Sequence, residues 1–259
     1  MAATEKNPII FYDLADANNK HWSFNPYKTR LSLNYKGLPY RVVYLSFPDI
    51  EPRLKELGMP PVSDTFPRYT LPVIADPSAD PNDKPTYVSD SFNIALYLDE
   101  KYPAPKYPII FPPGTHGLQK LLMSEYFSSL VSVIIPLCAP NLLQLLDSRS
   151  IEYLRRTRGG NFIPEPLTKD DKVQLLRKAQ QPFENLAHFL ELNNGIGPFI
   201  LGSQVSFVDF SIGGLLDFIQ KTEKDLFEEV LSWSDGKWGI YCEGIQQIER
   251  CSSDVVMDE

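Results

Sequence analysis

Apolar positions open the chain as a short run, Pro8 to Leu14, broken near its end by Asp13, and a polar loop from Ala15 to His21 follows. A run of this length reads as a buried strand. The next stretch, Trp22 to Gly37, changes period. Tyr27, Leu31 and Tyr35 recur at four-residue steps and so share one face of an amphipathic helix. Asn25 suits the N-cap and Pro26 the first helical position, where its missing N–H is no loss, while Gly37 tolerates the positive φ of a helix stop. Tyr40 to Leu45 is β-branched and aromatic, as a strand should be, and Ile50 to Gly58 reads as a short helix. Tyr69 to Ala75 is a strand with Pro72 near its beginning, where an absent donor is tolerated. A polar turn, Pro77 to Pro85, leads to a brief strand, Thr86 to Val88. A helix from Asp90 to Tyr102 then carries Ile94, Ala95, Leu98 and Tyr102 on one face. The predicted order is β-α-β-α-β-β-α.

A proline-rich connector, Tyr102 to Gly114, ends this alternation. The expected domains are residues 1–104, a linker 105–115 and an all-α bundle 116–259. In the bundle, helical periodicity covers His116 to Leu137, Asn141 to Arg158 with a break, Thr168 to Asn193, Phe207 to Gln220 and shorter pieces to Cys251. Ser252 to Glu259 reads as a frayed tail. Leu130 to Leu146 is uncharged and largely apolar, but its 17 residues include Pro136 and Pro140, so a kinked, buried helix is expected rather than a membrane span.

Composition narrows the function classes. With 43% hydrophobic and 22% charged residues in a chain of 259, a sizeable core in two domains is available. A net charge of −8 without a basic run argues against nucleic acid, whose binding needs Lys and Arg on phosphates. Cys138, Cys242 and Cys251 are odd in number and widely spaced, which suggests neither a disulfide framework nor a zinc site. His21, His116 and His188 show no metal spacing, so no metal is expected. A cytosolic protein fits these features, because the apolar run behind the N-terminus is too short for a signal peptide.

Four local features carry the candidate chemistry: Ser23 just ahead of the first helix, Leu71-Pro72 ahead of a strand, Asp90-Ser91 opening a helix, and Ser206-Phe207-Val208-Asp209 opening another. A strand, a loop ending in a small hydroxyl and a helix N-terminus form an arrangement that holds an anion. In this order the features resemble the cytosolic glutathione transferase family, over nearly the whole chain. That family has a thioredoxin-like N-terminal domain followed by a helical domain. The Trp22-Ser23-Phe24-Asn25-Pro26-Tyr27-Lys28 run and the long insertion before Leu71 look most like the fungal serine-type, omega-related transferases, also described as related to bacterial etherases.

The resemblance implies a role for each site. Ser23 would donate its hydroxyl to the sulfur of glutathione. A free thiol near pKa 8.5 is only a few per cent ionised at neutral pH, and lowering that pKa by about two units needs roughly 2.7 kcal/mol of differential stabilisation. Tyr12 and Asn25 are rival groups for this task. Leu71 would offer its backbone to the cysteinyl part of the tripeptide, with Pro72 as a cis-proline; without the family, an ordinary trans proline at a strand start is the other reading. Asp90 and Ser91 would hold the γ-glutamyl end, and either can also be a plain helix cap. Lys55 and Arg68 lie in segments suited to the glycyl carboxylate. The absence of cysteine before Cys138 argues against the mixed-disulfide chemistry of cysteine-bearing relatives.

The Ser206–Asp209 box is structural, and losing Asp209 is expected to cost about 1 kcal/mol or more. Leu118 to Leu137 holds more apolar surface than one core face needs; there Tyr126 and Phe127 are candidates for a hydrophobic acceptor site, and core or dimer packing is the alternative for each. The expected activity is activation of the glutathione thiol for attack on hydrophobic aromatic electrophiles, ether cleavage included, in a homodimer. The alternatives are a ligandin-type carrier of aromatic compounds with little turnover and a non-catalytic regulatory relative.

Overall fold

The computed structural model describes residues 3–78, 80, 82–158 and 167–255. The chain forms two compact units. The first runs to Ile110 and takes back two later segments, Asp147–Tyr153 and the chain from Ile248 onward; the second comprises Phe111–Leu146 and Leu154–Gln247.

In the first unit the order is β1 (Ile9–Leu14), α1 (Phe24–Lys36), β2 (Tyr40–Leu45), α2 (Phe47–Glu56), β3 (Val73–Asp76), β4 (Thr86–Ser89) and α3 (Ser91–Lys101). The sheet order is β2-β1-β3-β4. β1 pairs parallel with β2 and antiparallel with β3, and β3 pairs antiparallel with β4. This is the thioredoxin-like β-α-β-α-β-β-α domain of the sequence reading. α2 begins three residues before the expected Ile50, because Ser46 supplies the extended N-cap and Pro48 is harmless within a first turn whose N–H groups have no helical acceptor. β3 is shorter than expected: pairing starts only at Val73.

α1 corrects two expectations. Ser23, not Asn25, holds the N-cap position, with φ −89° and ψ 130°, and Pro26 falls at the third helical residue, which is equally free of a donor requirement. The helix is also not one-sided. Pro26 through Asn34 are all buried, the polar residues included. Arg30 reaches Asp13 at 2.8 Å and Tyr44 at 3.1 Å, Tyr40 donates to Asn34 at 2.9 Å, and Lys36 meets Asp99 at 2.8 Å and the carbonyls of Tyr102 and Pro108 at 2.9 Å. Buried polar groups are tolerated when paired, and these contacts pair most of them; Thr29 Oγ1 and Arg30 Nε are buried without a hydrogen-bond partner among the described residues. At the other end Gly37 takes φ 61° and closes the helix onto the carbonyls of Asn34 and Leu33, as expected.

The chain end corrects a third expectation. Far from fraying, it extends the sheet beside β2: Tyr40 donates from its amide to the Ser253 carbonyl at 3.2 Å and accepts from the Val255 amide at 2.7 Å, while the Ser253 hydroxyl donates to the Leu38 carbonyl at 2.6 Å. An edge strand presents unpaired groups that need cover, and this segment covers them. Residues 256–259 lie outside the described residues.

The second unit is helical: α4 (His116–Leu121), a π-helical turn (Leu122–Phe127), α5 (Ser128–Leu142), α7 (Lys169–Glu191), α8 (Phe207–Thr222) and most of α9 (Lys224–Arg250). α6 (Ser148–Arg158) begins in the first unit and ends here. α9 is interrupted at Trp233–Gly236, where Ser234 and Asp235 take left-handed φ values of 53° and 58°. The continuous run His116–Leu142 is long and apolar enough to cross a membrane by length and composition alone. It is only in part the buried helix expected from Leu130 onward. Leu130, Ile134, Leu137 and Cys138 form the covered stripe, and 28% of its most apolar stretch is buried.

At the start of α8 the capping box forms, and Asp209 does more than cap. Fully buried, its carboxylate accepts from the Ser206 amide and hydroxyl at 2.8 and 2.9 Å, the Ile200 amide at 2.9 Å and the Tyr241 hydroxyl at 2.8 Å. Asp209→Ala is therefore expected to cost about 3 kcal/mol rather than the 1 kcal/mol of a surface cap, because four donors are orphaned at once; urea denaturation checks this, and a loss below 1 kcal/mol would contradict it. Ending the chain after Arg250 is expected to lower stability by about 1–2 kcal/mol and to speed hydrogen exchange at the Tyr40 amide. Unchanged exchange there would show that the terminal pairing contributes nothing.

Candidate functional site

Sheet register brings the separate sequence features to one end of the first unit. Tyr12, Val73 and Ser89 lie in one row across β1, β3 and β4. Beyond that row, in the same direction, the chain leaves β1 for the loop that ends at Ser23, enters β3 from Leu71-Pro72, and leaves β4 for Asp90 and Ser91. Three stretches separate in sequence thus leave or enter the sheet at the same end of its strands.

Ser23 is 7% exposed and stands at the N-terminus of α1, where N–H groups lack helical acceptors and the helix dipole favours negative charge. Its backbone carbonyl accepts from the Tyr27 amide at 3.3 Å, but its side chain makes no cap hydrogen bond. Serine at this position ordinarily spends its hydroxyl on the helix. Next to it Trp22, 6% exposed, is tied by its indole N–H to the Ala15 carbonyl at 3.0 Å and packs against Phe47 at 6.2 Å between ring centroids. In the first turn of α1, the Lys28 ammonium donates to Asn25 Oδ1 at 2.9 Å, so the amide side of Asn25 is the end left for other acceptors. The other rival hydroxyl, Tyr12, belongs to a residue 3% exposed, with the Arg53 guanidinium 5.9 Å over its ring.

The Leu71–Pro72 bond is cis. Leu71 precedes Val73, the first residue of β3 in either ladder, so it lies past the end of the strand pairing. Asp90 caps α3 from a strained backbone, φ 71° and ψ 126°, a region that non-glycine residues rarely occupy. Its Oδ1 accepts from the amides of Phe92 and Asn93, both at 3.1 Å. Ser91, 7% exposed, is the first residue of α3. Of the two cations considered for the glycyl end, Lys55 pairs with Glu51 at 2.6 Å, while the carbonyl of Arg68 accepts from the Val62 amide at 2.9 Å.

The acceptor candidates separate. Within the second unit Tyr126 walls a small apolar cavity of about 120 Å³ together with Leu122, Leu186, Phe189, Val208 and Ile212, and its hydroxyl donates to the Pro182 carbonyl. Burial pushes the Tyr126 phenol well above its usual pKa, so it stays neutral. Phe127 is a core residue, 5% exposed. Cys138 is buried, which pushes its thiol up to about 12 and removes it as a nucleophile at neutral pH.

Sequence reasoning missed the polar partners of this region. The Asp13–Arg30 pair and the Lys28–Asn25 contact had only weak signals, an acid inside an apolar strand and a lysine three residues after an asparagine.

The comparisons agree with this architecture. Residues 22–101 match the family model for the N-terminal domain of glutathione S-transferases, and residues 117–247 match a model for their C-terminal domain. The glutathione S-transferase-like protein ustS of Aspergillus flavus is 29% identical over 262 residues, covering 96% of this chain and 94% of that protein. The glutathione S-transferase CsGST63524 of Ceriporiopsis subvermispora, solved in complex with glutathione, superposes with a TM-score of 0.82 at 32% identity, covering 98% of this chain and all of that one. Glutathione transferase GSTFuA3 of Phanerochaete chrysosporium gives 0.81 at 31% identity, with 97% and 99% covered. From the paired domain matches and these full-length likenesses, the chain belongs to the glutathione S-transferase family.

Proposed function

We propose that this transferase holds glutathione along the edge formed by Leu71-Pro72 and Asp90-Ser91, with its sulfur toward Ser23, and transfers it to hydrophobic aromatic electrophiles. The observation that carries the reading is the Ser23 hydroxyl at the N-terminus of α1 that does not cap its own helix. A hydroxyl free of that duty can donate to a thiolate. Together with the positive end of the helix dipole behind it, such a donor favours the ionised sulfur over the neutral one.

The remaining roles follow from chemistry. Leu71, beyond the end of the ladder, can pair with the cysteinyl backbone as one more strand would. Asp90 offers the carboxylate atom not used by the α3 cap to the γ-glutamyl ammonium, and the Ser91 hydroxyl faces the adjoining carboxylate. In the reaction the thiolate forms a carbon–sulfur bond as the electrophile's leaving group departs or its double bond accepts the electron pair. Ser23 keeps its proton throughout; it stabilises the nucleophile and is not one itself. A second copy of the chain belongs to this reading, with the side of α4 on which Leu118 and Leu121 are exposed as part of its contact surface.

Two variants test the assignment. Ser23→Ala is expected to lower the conjugation rate of a generic aromatic electrophile about a hundredfold while the protein is still retained on immobilised glutathione. Asp90→Ala is expected to weaken glutathione affinity about tenfold, through the lost charged contact. A Ser23→Ala enzyme with the wild-type rate, or a wild-type protein that ignores immobilised glutathione, would refute the proposal.

A further inference from the structure

The N-terminus of α2 is not finished by its own cap. Ser46 stands at the N-cap position, yet its hydroxyl makes no cap hydrogen bond and donates instead to Asp147 Oδ2 at 2.8 Å. The Phe47 amide, one of the donors a helix start leaves without an internal acceptor, goes to Ser150 Oγ at 3.3 Å. Ser150 is fully buried, and its hydroxyl and amide donate to Asp147 at 2.7 and 2.9 Å. Asp147 and Ser150 sit in the short segment that the first unit takes back from far along the chain, Asp147–Tyr153. Outside this cluster Arg149 grips Asp49 with two bonds of 3.0 and 2.6 Å, but both side chains are exposed, so that pair adds little.

What the cluster holds is close to the chemistry. Phe47 is the first residue of α2, and its ring packs against Trp22, the neighbour of Ser23. The contacts therefore run in sequence from Asp147 and Ser150 through Ser46 and Phe47 to Trp22. We infer that Asp147 and Ser150 are positioning residues for thiol activation: they complete the start of α2, which fixes the Phe47 ring against Trp22 and so sets the place of the Ser23 hydroxyl. The inference rests on the Ser23 reading above. Shifts of an ångström or less at a reacting centre change rates by large factors, so a distant polar cluster can act in this way without touching substrate.

The test compares Ser150→Ala, Ser46→Ala, Arg149→Ala and Ser23→Ala in the full chain, following glutathione conjugation of one aromatic electrophile across pH, with melting temperature measured alongside. Ser150→Ala and Ser46→Ala are expected to move the midpoint of the pH–rate profile upward and to lower kcat roughly tenfold on its acid side, with the KM for glutathione little changed. Arg149→Ala is expected to leave the profile in place. If Ser23→Ala moves the midpoint but the Ser150 and Ser46 variants only lower the melting temperature, the positioning claim is overturned and the Ser23 assignment stands. If Ser23→Ala leaves the midpoint unmoved, the Ser23 assignment fails and the positioning claim falls with it. Should Ser150→Ala fail to fold, Ser46→Ala decides the question, since it keeps the bond from Phe47 to Ser150.

Discussion

The buried pair between Asp13 in β1 and Arg30 in α1, 2.8 Å apart, is the interaction on which the first unit is built. It ties the middle of the first helix to the end of the first strand, which resists sliding of the helix along the sheet. Burial works against the Arg30 charge, but Asp13 with Tyr40 and Tyr44 outweighs it and raises the guanidinium pKa further, while burial pushes the Asp13 carboxyl up against the opposing pull of Arg30. Tyr40, within 3.4 Å of Arg30, also carries the backbone that the chain end pairs with. Helix, edge strand and terminal segment therefore share one polar knot. Removing one partner of such a pair costs far more than the pair contributes, which makes it a fixed point rather than a source of stability.

With α1 held, the antiparallel register does the rest. Because β3 runs opposite to β1, and β4 opposite to β3, the end of one, the start of the next and the end of the third fall in a single row. Leu71 and Asp90 sit two residues before β3 and one residue after β4, and Ser23 closes the loop that leaves the same end of β1. The strain at Asp90 and the uncapped hydroxyl of Ser23 are both local departures from the best helix start, and both occur at this edge. Local rules give way where function makes a demand, and consistency elsewhere sustains the fold.

Short-range rules made much of this legible in the sequence. Gly37 stops α1 where its conformational freedom is needed, the Ser206–Asp209 box starts α8, and the alternation of strands and helices gave the order of the first unit. Where two placements satisfied the same rule, the reading erred. Pro26 is acceptable at the first or third helical position, which moved the cap from Asn25 to Ser23. The missed features lie outside the local pattern: Ser253 on Leu38, Asp147 on Ser46, and the Ile200 and Tyr241 donors to Asp209 join segments whose separation leaves no periodic trace. A polar stretch such as Ser252–Val255 resembles a loose tail until an edge strand is found to receive it. The depth of the Asp209 network was hidden for the same reason, since only its capping partner lies nearby in sequence.

The central claim is that the protein stabilises the ionised sulfur of glutathione through the Ser23 hydroxyl. The most direct measurement is the ultraviolet absorbance of the thiolate in the binary complex with glutathione, titrated against pH for the wild-type protein and for Ser23→Ala. The account predicts a bound thiol that ionises well below the free value of about 8.5 in the wild type and returns toward it in the variant. The same depressed midpoint in both proteins, or a wild-type midpoint equal to that of free glutathione, would contradict it.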